Sequence, residues 1–311
     1  MDNLFIFKTE QLIPKAWLAS AKRVRVFNPS IFKTERGWIM AYRFVADDQV
    51  RRIALCRLTD DLEIIADSTF AFSDYVHGVS RSWFADPRLY KAGNKLFIYW
   101  NTGWHEPRNY QYLQELDLNT LKPKGVLISL NVKENQNVLE KNWMFFGHDL
   151  NYAVYSVNPH RILKRNGDLG SEAPLVDAFK EVWDNTTYES AYGNLRGGCP
   201  PQLIGDKYYS ICHSVYGVEG DYRYQAACYS FSALAPFSPL GRPYGALSLP
   251  MPQGQPRTYE KLNPAVGEVI YPCGAIFENG LWYISYGIND ECCAITVMEH
   301  AKIESSIQYI V

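Results

Sequence analysis

Along this chain a short apolar run, a turn and a strongly aromatic run recur five times. The copies are residues 28–43 (NPSIFKTERGWIMAYR), 86–101 (DPRLYKAGNKLFIYWN), 141–156 (KNWMFFGHDLNYAVYS), 199–214 (CPPQLIGDKYYSICHS) and 273–287 (CGAIFENGLWYISYG). Each opens on polar or proline-containing residues. Each carries turn chemistry between its apolar runs: Glu35-Arg36-Gly37, Gly93-Asn94, His148-Asp149, Gly205-Asp206 and Asn279-Gly280. Two apolar runs joined in this way form a β-hairpin. The stretches that follow, from Arg51, Asn109, Arg223 and Cys292, alternate apolar with polar residues, as further strands do.

The copies start 58, 55, 58 and 74 residues apart. Five hairpins at near-even spacing predict a single all-β domain over residues 1–311, a five-bladed β-propeller with hairpins starting near 28, 86, 141, 199 and 273. A β-sandwich with chance spacing is the alternative. The longer last interval contains the Pro-rich stretch 236–264, which reads as a loop over one face. Helical signal is weak, and only residues 173–183 carry a short amphipathic pattern.

In a propeller the inner strands converge on one axis, so the polar hairpin starts should share a site. They hold Asn28 and Arg43 on the first unit and Asp86 and Arg88 on the second. Glu140, Lys141 and Asn142 open the third unit, with His160-Arg161 after it. His213 ends the fourth, with Tyr222 and Arg223 following, and Asn289-Asp290 follow the fifth. Asp86 before Pro87 admits two readings. One is a turn-forming residue that caps a strand. The other is a carboxylic acid with a raised pKa beside a sugar oxygen. Glu140-Lys141 reads equally as a solvated ion pair, and His213 equally as a core histidine.

Composition narrows the partner classes. Lys plus Arg number 31 against 33 Asp plus Glu, a net charge of −2. That balance gives no electrostatic case for nucleic acid or an anionic membrane. Trp 8, Tyr 22 and Phe 15 make the chain 14% aromatic. Such rings fill β-rich cores and also offer flat faces to sugars. The first ten residues lack a signal-peptide pattern, and no apolar run approaches the roughly 18 residues of a membrane span. Seven cysteines without a CxxC pair fit a reduced, cytoplasmic chain. The scattered histidines give no metal-ligand spacing, and no Rossmann or Walker loop is present, so no metal or cofactor is expected.

The ordered motifs NPS…YR, ADPR, EKNW, GGCPPQL…CHSVY and YPCGAIF…YGIND, spanning about Asn28 to Met298, resemble a known family. They are similar to the five-bladed propellers of glycoside hydrolase family 130, which are β-mannoside phosphorylases and hydrolases. They also resemble glycosyltransferase family 108, which makes β-1,2-mannosides. The resemblance implies that Asp86 is the proton-donating Asp, acting through a sugar hydroxyl. It implies that Asp290, Arg43 and Asn28 hold mannose. His213 matches a phosphate-binding His, Lys141 and Asn142 a pair near the substrate, and Tyr222 and Arg223 a Tyr-Arg segment after the fourth hairpin.

One departure bears on phosphorolysis. The phosphorylases carry Arg residues after the second hairpin, where this chain reads YLQELDLNTLKPKG. His160 and Arg161 are the candidate replacements at the phosphate. The implied chemistry is inverting single displacement at an anomeric carbon. The expected partners are a mannose-containing oligosaccharide with a sugar phosphate or nucleotide sugar. A hydrolase would need a second carboxylate, for which Glu140 and Glu106 are candidates. A catalytically silent glycan-binding propeller and a protein-interaction propeller are the competing readings.

Overall fold

The computed structural model describes residues 3–20, 22–77, 79, 83–103, 108–133, 141–169, 174–184, 188, 193–218, 220–252 and 259–310. Among the described residues the structure is β-stranded apart from short 3-10 turns, a helical residue at Tyr188 and one terminal helix, His300–Ser305. The first sheet is Arg25–Thr34, Gly37–Val45 and Arg51–Leu58, antiparallel in chain order. The second is Ala85–Ala92, Lys95–Asn101, Gln111–Leu116 and Pro123–Leu130. The third is Met144–Phe146, Tyr152–Ser156, His160–Arg165 and Leu175–Glu181.

The last nine strands and the first, Asn3–Ile6, are joined into one ten-stranded sheet built around two antiparallel groups. The fourth group centres on Lys207–Tyr216 and Tyr222–Ser232. Asn194–Arg196 and Gln202–Ile204 both pair with Lys207–Tyr216. The fifth group is Val266–Glu278, Leu281–Ile288 and Cys292–Glu299. A short parallel pairing, Tyr222 with Val266 and Tyr224 with Val269, links the two. Asn3–Ile6 adds to the outer edge of Cys292–Glu299, so the start of the chain is held on its last group of strands.

Packing follows from strand alternation with both faces buried. On Gly37–Val45, Trp38, Met40, Tyr42 and Phe44 pack in one apolar cluster with Cys293 and Ile295 of the fifth group. Ile39 and Ala41, on the opposite face, pack with Leu96, Ile98 and Trp100 of the second sheet. Tyr99 and Leu113 then meet Phe145 and Leu163 of the third sheet. Phe146 and Ile162 meet Cys212 and Tyr229 of the fourth group. Ile211 and Cys228 meet Trp282 and Ile284 of the fifth. Each group therefore shares one core with the group before it and another with the group after it, and the fifth shares one with the first.

The predicted hairpins stand where the turn chemistry placed them. At Asn279-Gly280 both turn residues have positive φ, 52° and 81°. This is the two-residue turn whose twist matches the flanking strands. Two expectations are corrected. The amphipathic stretch 173–183 is not a helix: Leu175–Glu181 is an edge strand paired to His160–Arg165. So short a helix is marginal by itself, and ladder pairing with a waiting strand satisfies its backbone instead. The stretch 236–264 is not all loop. Pro239–Pro243 is a strand paired on one side to Tyr222–Ser232 and on the other to the C-terminal strand Ile307–Tyr309. Among the described residues no helix is long and apolar enough to cross a membrane.

Candidate active site

A cleft of about 150 Å³ opens where the first strands of the sheets meet. Its lining includes Asn28, Arg43, Asp86, Lys141, His213 and Asp290, six residues expected from the sequence. The backbone delivers two of them by the same device. The strand register slips between Phe27 and Ser30 and again between Ala85 and Arg88. At these bulges Asn28 and Asp86 adopt left-handed φ values of 52° and 50°. A bulge re-aims the side chain it carries, and Asn and Asp tolerate this conformation better than other non-glycine residues. The Asn-Pro and Asp-Pro pairs are thus the sequence trace of two inward-turned side chains.

Asp86 is held from two sides. Asn28 Nδ2 donates to its Oδ1 at 2.8 Å, and Arg43 Nη1 reaches the same oxygen at 3.3 Å. Among the described residues Oδ2 accepts no hydrogen bond. Burial alone would raise the carboxyl pKa. The charges of Arg43, Arg88 and Lys141 and the Asn28 hydrogen bond outweigh burial, and the net direction is downward. The raised-pKa acid expected from the Asp-Pro motif is therefore not the resting state. Asp86 rests as a carboxylate.

Across the cleft, His213 lies 4.6 Å from the Tyr271 ring and is stacked on Tyr224 at 5.8 Å. Burial, with Arg196, Lys141 and Arg88 nearby, pushes its pKa well down, so the ring is neutral. Lys141 is also pushed down, by burial and then by Arg196 and Arg43, against the attraction of Asp86. Beneath the cleft Arg88 is fully buried. It donates to Trp143 O and to Asn142 Oδ1, each at 3.3 Å. Tyr271 Oη donates to the same Asn142 oxygen at 2.6 Å. Arg88 and Asn142 thus support the floor rather than line it.

Four expected residues stand elsewhere. His160 is buried with its ring 5.1 Å from Phe231 and 5.8 Å from Tyr229, between the third and fourth groups. Burial lowers its pKa to about 4. Arg161 points to the opposite face, as strand alternation requires, with an ion pair to Asp177 and the Tyr155 ring 4.0 Å away. Neither flanks His213 as a phosphate ligand. Arg223 is exposed and paired to Asp221 at 3.2 Å, and Tyr222 lies on the surface. The residue two further along, Tyr224, is the one that lines the cleft. Glu106 and Glu140 lie outside the described residues.

The sequence reading did not single out Arg51, Trp83, Asn101, Tyr224, Tyr271, Leu262 and Asn263, all on the lining. Arg51 had a legible signal. Ile53 and Leu55 face the core between the first and second sheets, and Arg51 shares their parity at the strand end. Arg196 also escaped notice. It pairs in register with His213 and acts electrostatically on His213 and Lys141.

No family model matches the chain, and no curated protein matches it. Solved structures do. A β-1,2-mannobiose phosphorylase from Listeria innocua superposes with a TM-score of 0.67 at 14% identity, covering 98% of this chain and 99% of that one. A GDP-mannose-dependent mannosyltransferase from Leishmania mexicana gives 0.59 at 13%, covering 89% and 86%. A mannose phosphorylase from the same organism gives 0.53 at 14%, covering 94% and 89%. The chain has the fold of these mannoside enzymes over nearly its whole length, and at such identities the likeness speaks for the fold.

Proposed function

We propose that the chain is a five-bladed β-propeller enzyme that makes or breaks β-mannosidic bonds by inverting single displacement. The five apolar cores, each shared by neighbouring groups of strands and the last shared with the first, support the propeller reading. One observation carries the catalytic reading: a buried carboxylate, Asp86, fixed through Oδ1 in a small cleft that also holds Lys141, His213 and Asp290.

In the synthetic direction an acceptor hydroxyl oxygen attacks the anomeric carbon and its proton passes to Asp86. The bond from that carbon to the donor phosphate breaks, and the phosphate leaves with the electron pair. Lys141 and Arg196 supply positive charge beside it, and neutral His213 adds a hydrogen-bonding ring. These two cations answer the missing Arg residues after the second hairpin. In phosphorolysis the steps reverse, and Asp86 returns the proton. Its lowered pKa favours the base role, so transfer and synthesis are preferred over hydrolysis. Asn28, Arg43 and Asp290 orient the sugar ring.

The test uses mannose 1-phosphate and, separately, GDP-mannose over a panel of mannose-containing acceptors, following product mass and phosphate release. Product from mannose 1-phosphate, abolished by Asp86→Asn, is the expected result. Product from GDP-mannose alone makes the chain a nucleotide-sugar transferase. Silence with both donors refutes the transfer reading.

A further inference from the structure

The cleft contains a cation that the chemistry above does not use. Arg51 extends from the start of Arg51–Leu58 onto the lining. Its guanidinium carbon stands 3.7 Å from the centroid of the Trp83 ring. Trp83 is itself backed by Gly103, where an added Cβ would fall 2.7 Å from indole Cε3. This cation–π contact holds the guanidinium against the indole at the cleft wall.

Three features make this arginine costly unless something anionic joins it. Arg51 is half-buried and stands beside Arg43, and burial with that like charge lowers its pKa to about 10. Among the described residues it has no ion pair. Asp290 attracts it most and Asp86 next, and Asp86 already takes Asn28 and Arg43 on one oxygen. Among the described residues of the lining, the cations Arg43, Arg51 and Lys141 stand with two carboxylates, Asp86 and Asp290. Lys141 and Arg196 act on His213, whereas Arg51 acts with Arg43 near Asp86 and Asp290. Under the proposed function the leaving phosphate lies at Lys141 and Arg196, and Arg51 has no part in holding it.

We propose that Arg51, held over the Trp83 ring, binds an anionic substituent on the sugar itself, so that the substrate is a phosphorylated or carboxylated mannose unit rather than a neutral one. This rests on the mannoside reading. It concerns a group other than the anomeric phosphate. A planar guanidinium suits both a phosphate ester and a carboxylate, because each can accept two parallel N–H bonds.

The test is calorimetric binding of mannose, mannose 6-phosphate, mannuronate and mannose 1-phosphate to the wild-type chain and to Arg51→Gln. Wild type is expected to bind mannose 6-phosphate or mannuronate about 10- to 100-fold more tightly than mannose, the span of one charge-assisted contact. Whichever anion gains identifies the substituent. In Arg51→Gln the ratio to mannose should fall toward one. Arg51 acting only as packing for Trp83 would weaken all the sugars together and leave that ratio unchanged, which overturns the inference. Equal wild-type affinity for neutral and anionic sugars overturns it too, as does a gain confined to mannose 1-phosphate. In those cases the mannoside reading stands. Binding of none of the four overturns both.

Discussion

Gly287 ties the last aromatic strand to the proposed base, and replacing it tests that link. A Cβ built there falls 2.1 Å from Asn28 Oδ1 and 2.8 Å from Asn28 N. Ordinary contact begins near 3.4 Å, so Gly287→Ala demands a displacement of more than about 1 Å. The Asn28 side chain must move, and the 2.8 Å approach to Asn28 N strains the bulge as well. Its Nδ2 now donates to Asp86 Oδ1 at 2.8 Å, and a shift of that size breaks the bond. Overpacking costs about 1–3 kcal/mol of stability, which for a chain of this length lowers Tm by about 2–5 °C. The functional effect should be larger. Misplacing a catalytic group by about 1 Å costs on the order of 100-fold in rate. Losing the Asn28 donor also removes one influence that keeps the Asp86 pKa low, so the acid limb of the rate profile should move to higher pH. The assay is kcat against pH with mannose 1-phosphate, alongside a thermal melt. Wild-type rate and acid limb in a folded Gly287→Ala protein would refute the linkage of Asn28 to Asp86.

Asp86→Asn keeps a residue that tolerates φ of 50° and should lose about 100- to 10,000-fold in kcat with little change in Tm. Asp86→Ala should add about 1–2 kcal/mol of instability from the left-handed backbone, seen in urea midpoints. His160 is held neutral in the fold with its pKa lowered to about 4 against an unfolded value of 6.5. The unfolded chain therefore binds the extra proton first, and stability is lost as pH falls from about 6.5 to 4. His160→Phe should remove up to about 3 kcal/mol of that acid sensitivity and leave the phosphate KM unchanged. A raised phosphate KM would return His160 to the site. Arg196→Gln should raise the phosphate KM about 10-fold, the value of one charged contact, with a smaller effect on kcat. Trp282→Ala, in the core between the fourth and fifth groups, should cost about 3–5 kcal/mol in denaturant unfolding.

Much of the fold was legible because its periodicity is local. Turn pairs such as Asn279-Gly280 and the alternation of Trp38, Met40, Tyr42 and Phe44 depend on neighbouring residues alone. The strand Leu175–Glu181 was not legible, because its amphipathic spacing fits a helix until a partner strand is present. The site divides in the same way. Asn28 and Asp86 announce themselves through the proline that follows each bulge. Arg196 carries no local mark, since what places it is pairing across a sheet with His213, whereas Arg51 shares the parity of Ile53 and Leu55 on its own strand. His160 misled because a His-Arg pair on a strand looks like a cationic site, whereas alternation sends the two side chains to opposite faces.

The electrostatics of the cleft also bear on direction. An acid that must protonate a leaving oxygen is helped by burial without positive neighbours, which keeps its proton on. Asp86 has the burial but also Arg43, Arg88 and Lys141 around it, with Asn28 donating to it. Those groups hold the ionised form. A resting carboxylate is ready to take a proton from an acceptor hydroxyl, and it becomes an acid only after phosphate or another anion enters and offsets the cations. Binding of the anion and protonation of Asp86 are therefore coupled: filling the site at Lys141 and Arg196 should raise the Asp86 pKa. Without the anion Asp86 remains a base, and water in the cleft meets no acid partner. The acid limb of the pH–rate profile should accordingly shift upward as phosphate is raised, and an acid limb independent of phosphate would refute the coupling.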